Sequence, residues 1–400
     1  MKKILLLGGL RYLIPVIKTA HELGYYVITC DYLPNNIAHQ YSDKYINANI
    51  TDKELILKIA EEEKIDGIMS FAVDPGVLTA SYVAEKMNLP GCPYQSVKIL
   101  QNKVLFRKFL YENGFNVPKA KGFSSYADAL KELDLFNFPV IVKPTDSAGS
   151  KGVTRVDYIE GVKSAVEYAL ANAVSDKEVI IEEFIEQSGF SSDCDSFSID
   201  SDLKFVSFSN QYFDSKAENP YTPSAYSWPS FIDISHQEEL VSELRRLVKL
   251  LKLGTSIYNI ETRVGTDGKP YIMEVSPRGG GNRLSEMLRF ATGVDLIKMA
   301  VKSAVGEEND QLEMPVYNGY WAEIILHSDR DGIFDEVKIN NELFDKNIVE
   351  IDLWVKKGDK VNAFRGANDA IGTVVVRFDT EKNLSSFIKF LHEHITVLVN

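Results

Sequence analysis

Three cysteines are all that the 400 residues contain. Cys30, Cys92 and Cys194 lie far apart and form no C-x-x-C pair, which excludes a disulfide scaffold and a zinc ribbon. A reducing, cytoplasmic setting is expected. Basic runs are missing as well. The chain carries 44 Lys and Arg against 57 Asp and Glu, a net charge of −13, which argues against nucleic acid as the main partner. An anionic substrate in a local basic site stays open. No window approaches the ~20 apolar residues of a membrane span. Residues 1–7 imitate a secretory leader, but Gly8, Gly9 and Arg11 break the apolar run after about four residues, short of the ~7–15 needed. A buried first strand is the better reading. Familiar phosphate fingerprints are also lacking. Gly8-Gly9-Leu10-Arg11 has no later glycines of the G-x-G-x-x-G type, and in Gly149-Ser150-Lys151-Gly152 a serine stands where a P-loop needs glycine.

The composition is otherwise that of an ordinary globular chain, 45% apolar and 25% charged, long enough for two or three compact units. The first ninety residues alternate strand and helix. Strands are expected at residues 4–7, 26–30 and 67–70. The helices between them run to Leu23, from a Thr51-x-x-Glu54 capping box to Glu63, and from Pro75 to near Met87. This order predicts a parallel sheet covered on both faces, with ligands beyond the carboxyl ends of the strands. Gly8, Gly9, Asp31 and Asp74 then share one rim.

Leu89-Pro90-Gly91 marks a boundary, giving units of 1–95, 96–310 and 311–400. One helix is expected over 96–112, then strands with Gly-rich turns to 185, then antiparallel strands over 194–213. Residues 214–230, with Tyr221, Tyr226 and Trp228, read as a long aromatic loop. A helix over 235–251, strands at 256–263 and 270–275, helices near 284–291 and 294–305, and a β-rich end with a helix near 383–393 follow.

Three segments carry chemistry. In Phe138-Pro139-Val140-Ile141-Val142-Lys143-Pro144 an apolar strand ends on a lysine, followed by the small-residue stretch from Ser147 to Gly152. A point charge beside a loop of exposed N–H groups suits polyphosphate; a surface hairpin with a solvated lysine is the alternative. In Val179-Ile180-Ile181-Glu182-Glu183-Phe184-Ile185 two acids end a strand, which fits either an adenine-binding hinge or a plain strand end. The third is the strongest. Glu261 and Glu274 stand on strands joined by a turn at Asp267-Gly268, and a hairpin register brings them together. Adjacent carboxylates repel unless a cation lies between them, and hard oxygen ligands suit Mg²⁺ completed by phosphates. Arg278 follows a proline-locked turn and precedes three glycines, placed for a bidentate anion contact.

With these residues in order, the chain resembles the ATP-grasp superfamily, in the branch of biotin carboxylase, glycinamide ribonucleotide synthetase and the large subunit of carbamoyl-phosphate synthetase. The resemblance runs over almost the whole chain, including Ala291-Thr292-Gly293-Val294-Asp295. It implies an α/β ATP-grasp fold with an amino-terminal parallel domain, a lid at about 116–185 and a small β-rich carboxyl domain. Lys103 and Lys143 resemble the family's nucleotide lysines, and Ser147, Gly149, Ser150 and Gly152 its phosphate lid. Glu182, Glu183, Phe184 and Ile185 resemble the adenine hinge. Glu261 and Glu274 match the magnesium carboxylates and Arg278 the arginine facing the transferred phosphoryl group. Two positions depart: Ser276 stands where the family has a metal-binding asparagine, and Asp193 is the nearest candidate for the ribose acid. ATP and Mg²⁺, with Mn²⁺ as substitute, are the implied cofactors, and a homodimer is expected by analogy.

The implied reaction is ADP-forming activation of a small carboxylate as an acyl phosphate, followed by transfer to an amine, with Lys143 and Arg278 catalytic. Arg283 and Asn282 are candidates for the substrate carboxylate. Asp74 is a candidate for the amine, or else an acid capping its own helix. A bicarbonate- or formate-using relative and a regulatory nucleotide-binding protein without turnover are the competing readings.

Overall fold

The computed structural model describes residues 1–146, 151–173, 177–309 and 311–400. Four parallel strands open the chain, in the order Lys44–Asn47, Tyr26–Asp31, Lys3–Leu7, Gly67–Ser70. Ile4 to Leu7 are fully buried, as a central parallel strand requires. The edge strand Lys44–Asn47 is half exposed and polar, so its pattern carried no strand signal. The helix Lys53–Glu63 is capped by Asp52, whose side chain accepts from the Leu55 N–H at 3.1 Å; the expected capping box at Thr51 does not form, because Thr51 turns its hydroxyl to Asn49. One face of the sheet packs on the helices Lys53–Glu63 and Asp74–Met87. The other shares a core with the helices Ile14–Glu22, Leu284–Thr292 and Leu296–Ala304.

The single helix expected over 96–112 is two. Tyr94–Gln101 stops at Asn102, an extended residue whose side chain caps Lys103–Glu112 by accepting from the Leu105 N–H. The break sets Lys103 on the first turn of the second helix, against the strand that carries Lys143: its N–H donates to the Thr145 carbonyl at 3.2 Å.

Two antiparallel sheets follow. One runs Ala120–Phe123, Val179–Glu183, Val140–Pro144, Thr154–Val156, with the helix Val162–Ala171 on its apolar face. The other runs Asp202–Val206, Ser192–Ile199, Ser256–Val264, Pro270–Ser276, backed by the long helix Ile234–Leu250. A five-stranded sheet follows, ordered Asn210–Phe213, Pro223–Trp228, Tyr320–Leu326, Gly372–Phe378, Ile348–Leu353. Its first two strands come from the middle of the chain, so the sheet spans the boundary expected at 310–311. Residues 214–230 are therefore not one loop. Pro223–Trp228 is a strand with Tyr226 and Trp228 fully buried, and only Tyr221 of the three aromatics is exposed. A three-stranded sheet, Lys360–Val361, Gly332–Ile339 and Ile395–Val399, closes the chain after two short helices over 381–394. Among the described residues no helix is long and apolar enough to cross a membrane.

Candidate active site

Lys143 stands near the end of the strand Val140–Pro144, directly beside the strand carrying Glu182. Its Nζ donates to Glu182 Oε1 at 2.5 Å, while Arg107 Nε donates to Glu182 Oε2 at 2.9 Å. Arg107 Nη1 also holds the Met273 carbonyl at 2.8 Å, tying this sheet to the strand of Glu274. Burial works to raise the Glu182 carboxyl, yet the two cations hold it down at about 2. Burial pushes Lys143 below its ordinary value, against the pull of Glu182 and with the push of Arg107 and Lys103. Two cations share one acid here, so the cluster keeps a net positive charge. Glu182 is buried inside it as the anchor of two cations, not laid open as a hinge residue. Arg107 escaped the sequence reading because it sits in an amphipathic helix with no motif around it.

The rest of the expected hinge lies just beyond. Glu183 Oε1 accepts from the Asn137 backbone and side chain, both at 2.9 Å. Phe184 lies under the Arg155 guanidinium, 4.4 Å from its ring centre, and the Ile185 carbonyl accepts from Arg263 at 3.2 Å. Gly152 has φ +74°, and a Cβ there would meet Pro144 and Asn172 at 2.8 Å, so only glycine fits this turn behind the lysine strand. Ser147, Gly149 and Ser150 lie outside the described residues.

Facing the cations is a row of acids. The hairpin register pairs Glu261 with Glu274, and on the other side Glu261 pairs with Asp193, so three carboxylates stand on three neighbouring strands. Asp195 lies two residues further along, opposite Asn259. Asn259 Nδ2 donates to Asp193 Oδ1 at 2.6 Å, and Asp195 accepts from the Gly280 N–H at 2.8 Å and from the Ser285 hydroxyl. Burial, reinforced by Glu261, pushes Asp193 up to about 7; burial pushes Asp195 up to about 6. Burial also raises Glu261, opposed by Arg263 and reinforced by Glu274. The register places Asp193 among these acids, away from the hinge strand, where a ribose contact was expected. Among the described residues no three His, Cys, Asp or Glu side chains close around one point tightly enough to hold a cation alone. The donor set instead fits a hard cation that shares its shell with phosphate oxygens.

Arg278 and Asp74 are brought together across 204 residues of chain. Arg278 Nε donates to Asp74 Oδ1 at 2.9 Å and Nη2 to Oδ2 at 2.8 Å, a two-bond fork, while Nη1 holds the Gly279 carbonyl. Asp74 does not cap its helix; its carboxyl stays below the usual range because Arg278 outweighs burial. The Ser276 hydroxyl donates to Asp74 Oδ1 at 2.9 Å and accepts from Gln101 Nε2 at 3.0 Å, so its bonds are spent inside the protein. The first two glycines after Arg278 answer to packing, while a Cβ on Gly281 would meet nothing closer than 3.9 Å. A Cβ on Gly279 would sit 2.2 Å from the Phe71 ring, and the Gly279 carbonyl accepts from the Ala72 N–H.

Asn282 and Arg283 both adopt left-handed backbone, φ 49° and 56°. Asn282 Oδ1 accepts from the Tyr12 hydroxyl and its Nδ2 donates to the Tyr226 hydroxyl, each at 3.2 Å. Tyr226 in turn donates to Asp193 Oδ2 at 3.3 Å. Arg283 is buried against Glu286, Glu350 and Thr373, so its fork is occupied by the protein's own side chains.

A lysine-bearing lid sheet over paired carboxylates on a second antiparallel sheet, behind a parallel amino-terminal sheet, is the plan of an ATP-grasp protein. Residues 100–282 match the family model of the ATP-grasp domain, and this stretch is an ATP-grasp domain. The chain is 28% identical over 300 residues to the carbamoyl phosphate synthase large chain of Pseudothermotoga lettingae, covering 73% of this chain and 26% of that one. It thus spans about a quarter, 26%, of the length of that curated relative. The fold is similar to phosphoribosylglycinamide synthetase from Anaerococcus prevotii, with a TM-score of 0.77, 21% identity and 100% of both chains covered. It is also similar to L-amino acid ligase from Bacillus licheniformis, with a TM-score of 0.82, 19% identity, and 100% and 99% of the two chains covered.

Proposed function

We propose that the protein is an ADP-forming ligase that activates a small carboxylate with ATP and transfers the acyl group to an amine. One observation carries this reading: the cations Lys143 and Arg107 lie close enough to Glu261 in the acid row to act on it electrostatically, so a basic and an acidic wall stand next to each other. Polyphosphate needs the first wall and its counter-cation needs the second. The solved structures of similar fold, a phosphoribosylglycinamide synthetase and an L-amino acid ligase, support the same class.

In this mechanism Lys143 and Lys103 bind the phosphates, and Phe184 and Ile185 border the base. Glu261 and Glu274 would hold Mg²⁺, which neutralises phosphate charge when bound. The substrate carboxylate oxygen attacks the γ-phosphorus in line, the bond from phosphorus to the β,γ-bridging oxygen breaks, and ADP leaves. The amine nitrogen then attacks the acyl carbon, the bond from carbon to the phosphate oxygen breaks, and phosphate and one proton are released. No covalent bond to the protein is needed, so catalysis comes from positioning and preorganised charge. Asp74 holds Arg278, making Asp74 a positioning residue, with Asp193 and Asp195 close enough to act on the guanidinium.

The test is release of ADP and phosphate from Mg-ATP against pooled small carboxylates and amines, with Glu274→Gln as control. A pool that drives ADP release in the native protein but not in the variant establishes the ligase. Release of AMP, or ATP binding with no pool active, overturns it.

A further inference from the structure

A second buried charge cluster lies on the five-stranded sheet, away from the lid. Its register sets Gln211, Tyr226, Glu323, Val375 and Glu350 in one row, each paired with the next. Cross-strand partners share a face. Above this face stand Arg283 and Glu286 from the helix Leu284–Thr292 and its cap, and Tyr12 from the amino-terminal region. Three carboxylates, Glu286, Glu323 and Glu350, act on the guanidinium of Arg283, with Asp352 beside Glu286, and a second cation, Arg11, lies over the Trp354 ring, 5.2 Å from its centre. Arg283 reaches Glu286 and Glu350, and Trp354 Nε1 donates to Asp352 at 2.8 Å.

Glu323 receives nothing. It is 0% exposed, and neither of its oxygens has a hydrogen-bond partner. Gln211, 8% exposed on the same row, leaves its Oε1 without a donor too. Burial, reinforced by Glu286 and Glu350, drives this carboxyl strongly toward its neutral form. Protonation alone does not repair it, since a neutral carboxyl still has one unfilled acceptor oxygen. What the enclosure lacks is a positively charged hydrogen-bond donor. One carboxylate and one amide oxygen fall short of the six or so ligands a hard metal takes, whereas the rings of Tyr12 and Tyr226 nearby suit an organic cation, the Trp354 ring being already covered by Arg11. The enclosure also adjoins the reaction side, because Tyr226 donates to Asp193.

We propose that this enclosure holds a primary ammonium group of the acceptor substrate, so that the acceptor is a cationic amine such as a diamine. The proposal rests on the ligase reading above. The ammonium is bound, not consumed, and serves to orient the acceptor. Glu323 is sealed in this structure, and entry in this proposal is at the contact between Tyr12 and Trp354, ring centres 6.1 Å apart, because Tyr12 lies close enough to Glu323 to feel its charge.

Calorimetric titration without nucleotide tests this. Putrescine and ethylamine are the probes, with KCl and tetramethylammonium chloride as controls at matched ionic strength. The native protein should bind both amines and neither control. Glu323→Gln should weaken amine binding by about tenfold or more. Equal amine affinity in Glu323→Gln, binding of KCl as tight as the amines, or no amine binding by the native protein overturns the proposal. If Glu323→Gln does not fold by circular dichroism, Gln211→Met replaces it: weakened amine binding supports the proposal and unchanged binding overturns it. No turnover is measured, so a failed ADP-release assay removes the ligase reading while this titration judges the ammonium site separately.

Discussion

The two walls of the cleft solve opposite electrostatic problems. On the lid side one acid, Glu182, serves two cations, and its carboxyl is held down at about 2. On the body side Asp193, Asp195, Glu261 and Glu274 crowd together with Asn259, the Gly280 N–H and, at a distance, Arg263 and Arg278 for company, and these do not outweigh burial: Asp193 is pushed up to about 7. The lid is satisfied without ligand apart from a surplus positive charge. The body is short of positive charge. Burial is common to both, so the sign of the shift is decided by which charge is in the minority. In the proposed mechanism the anionic end of a nucleotide meets the first wall and its cation the second.

The largest effect should come from unbalancing the lid. Arg107→Met removes one cation from a buried pair and a bond to the Met273 carbonyl, and should lower unfolding stability by ~3–5 kcal/mol in a denaturant titration. Next, Lys143→Met leaves Glu182 with Arg107 and should retain the fold, while ADP release falls on the order of 100-fold or more. An unchanged rate would show that the lid's surplus charge is not aimed at phosphate.

The walls should also part company with pH. Glu182 has a folded value of about 2 below its ordinary 4.5, so its contribution is full above 4.5 and is lost as pH falls toward 2. Asp193 has the opposite sign. Its folded value of about 7 exceeds the ordinary 3.8, so the native state keeps a proton that the unfolded chain has released, and stability falls as pH rises from 3.8 to about 7. Asp193→Asn should therefore flatten that slope and raise the unfolding free energy at pH 8 by an amount on the order of 1–2 kcal/mol, read as a higher melting temperature. A slope identical to the native one would count against the crowding of acids. The smallest effect is expected from Ser276→Ala, ~1 kcal/mol of stability, with the Mg²⁺ dependence of ADP release unchanged because its hydroxyl is committed to Asp74 and Gln101. A shifted Mg²⁺ requirement would make Ser276 a ligand after all.

Much of this was legible in the sequence. The strands around Leu5, Val27 and Met69, the hairpin of Glu261 and Glu274, and the lysine strand all follow from apolar periodicity and turn residues. Most of what escaped depends on partners distant in the chain. Nothing near Glu182 shows that Arg107 will meet it, and nothing near Asp74 shows Arg278. Asn102 reads as helix interior until its cap is seen. Arg283 looks like a free fork because Glu350, which occupies it, lies on another sheet. The strand Pro223–Trp228 passed for a loop because its partner, Tyr320–Leu326, comes almost a hundred residues later.

That late partner governs how the chain matures. During synthesis the hairpin of Asn210–Phe213 and Pro223–Trp228 emerges with one edge bare, and Tyr226 and Trp228 find their cover only after Leu326 has been made. A chain cut near residue 310 would keep every residue expected to meet ATP yet display an open, aromatic strand edge, the kind that seeks another chain. Such a fragment should be sticky rather than inert. The carboxyl-terminal ninety residues are thus the seal on the nucleotide-binding region, and the two cannot be inherited or engineered apart without supplying that edge with another strand.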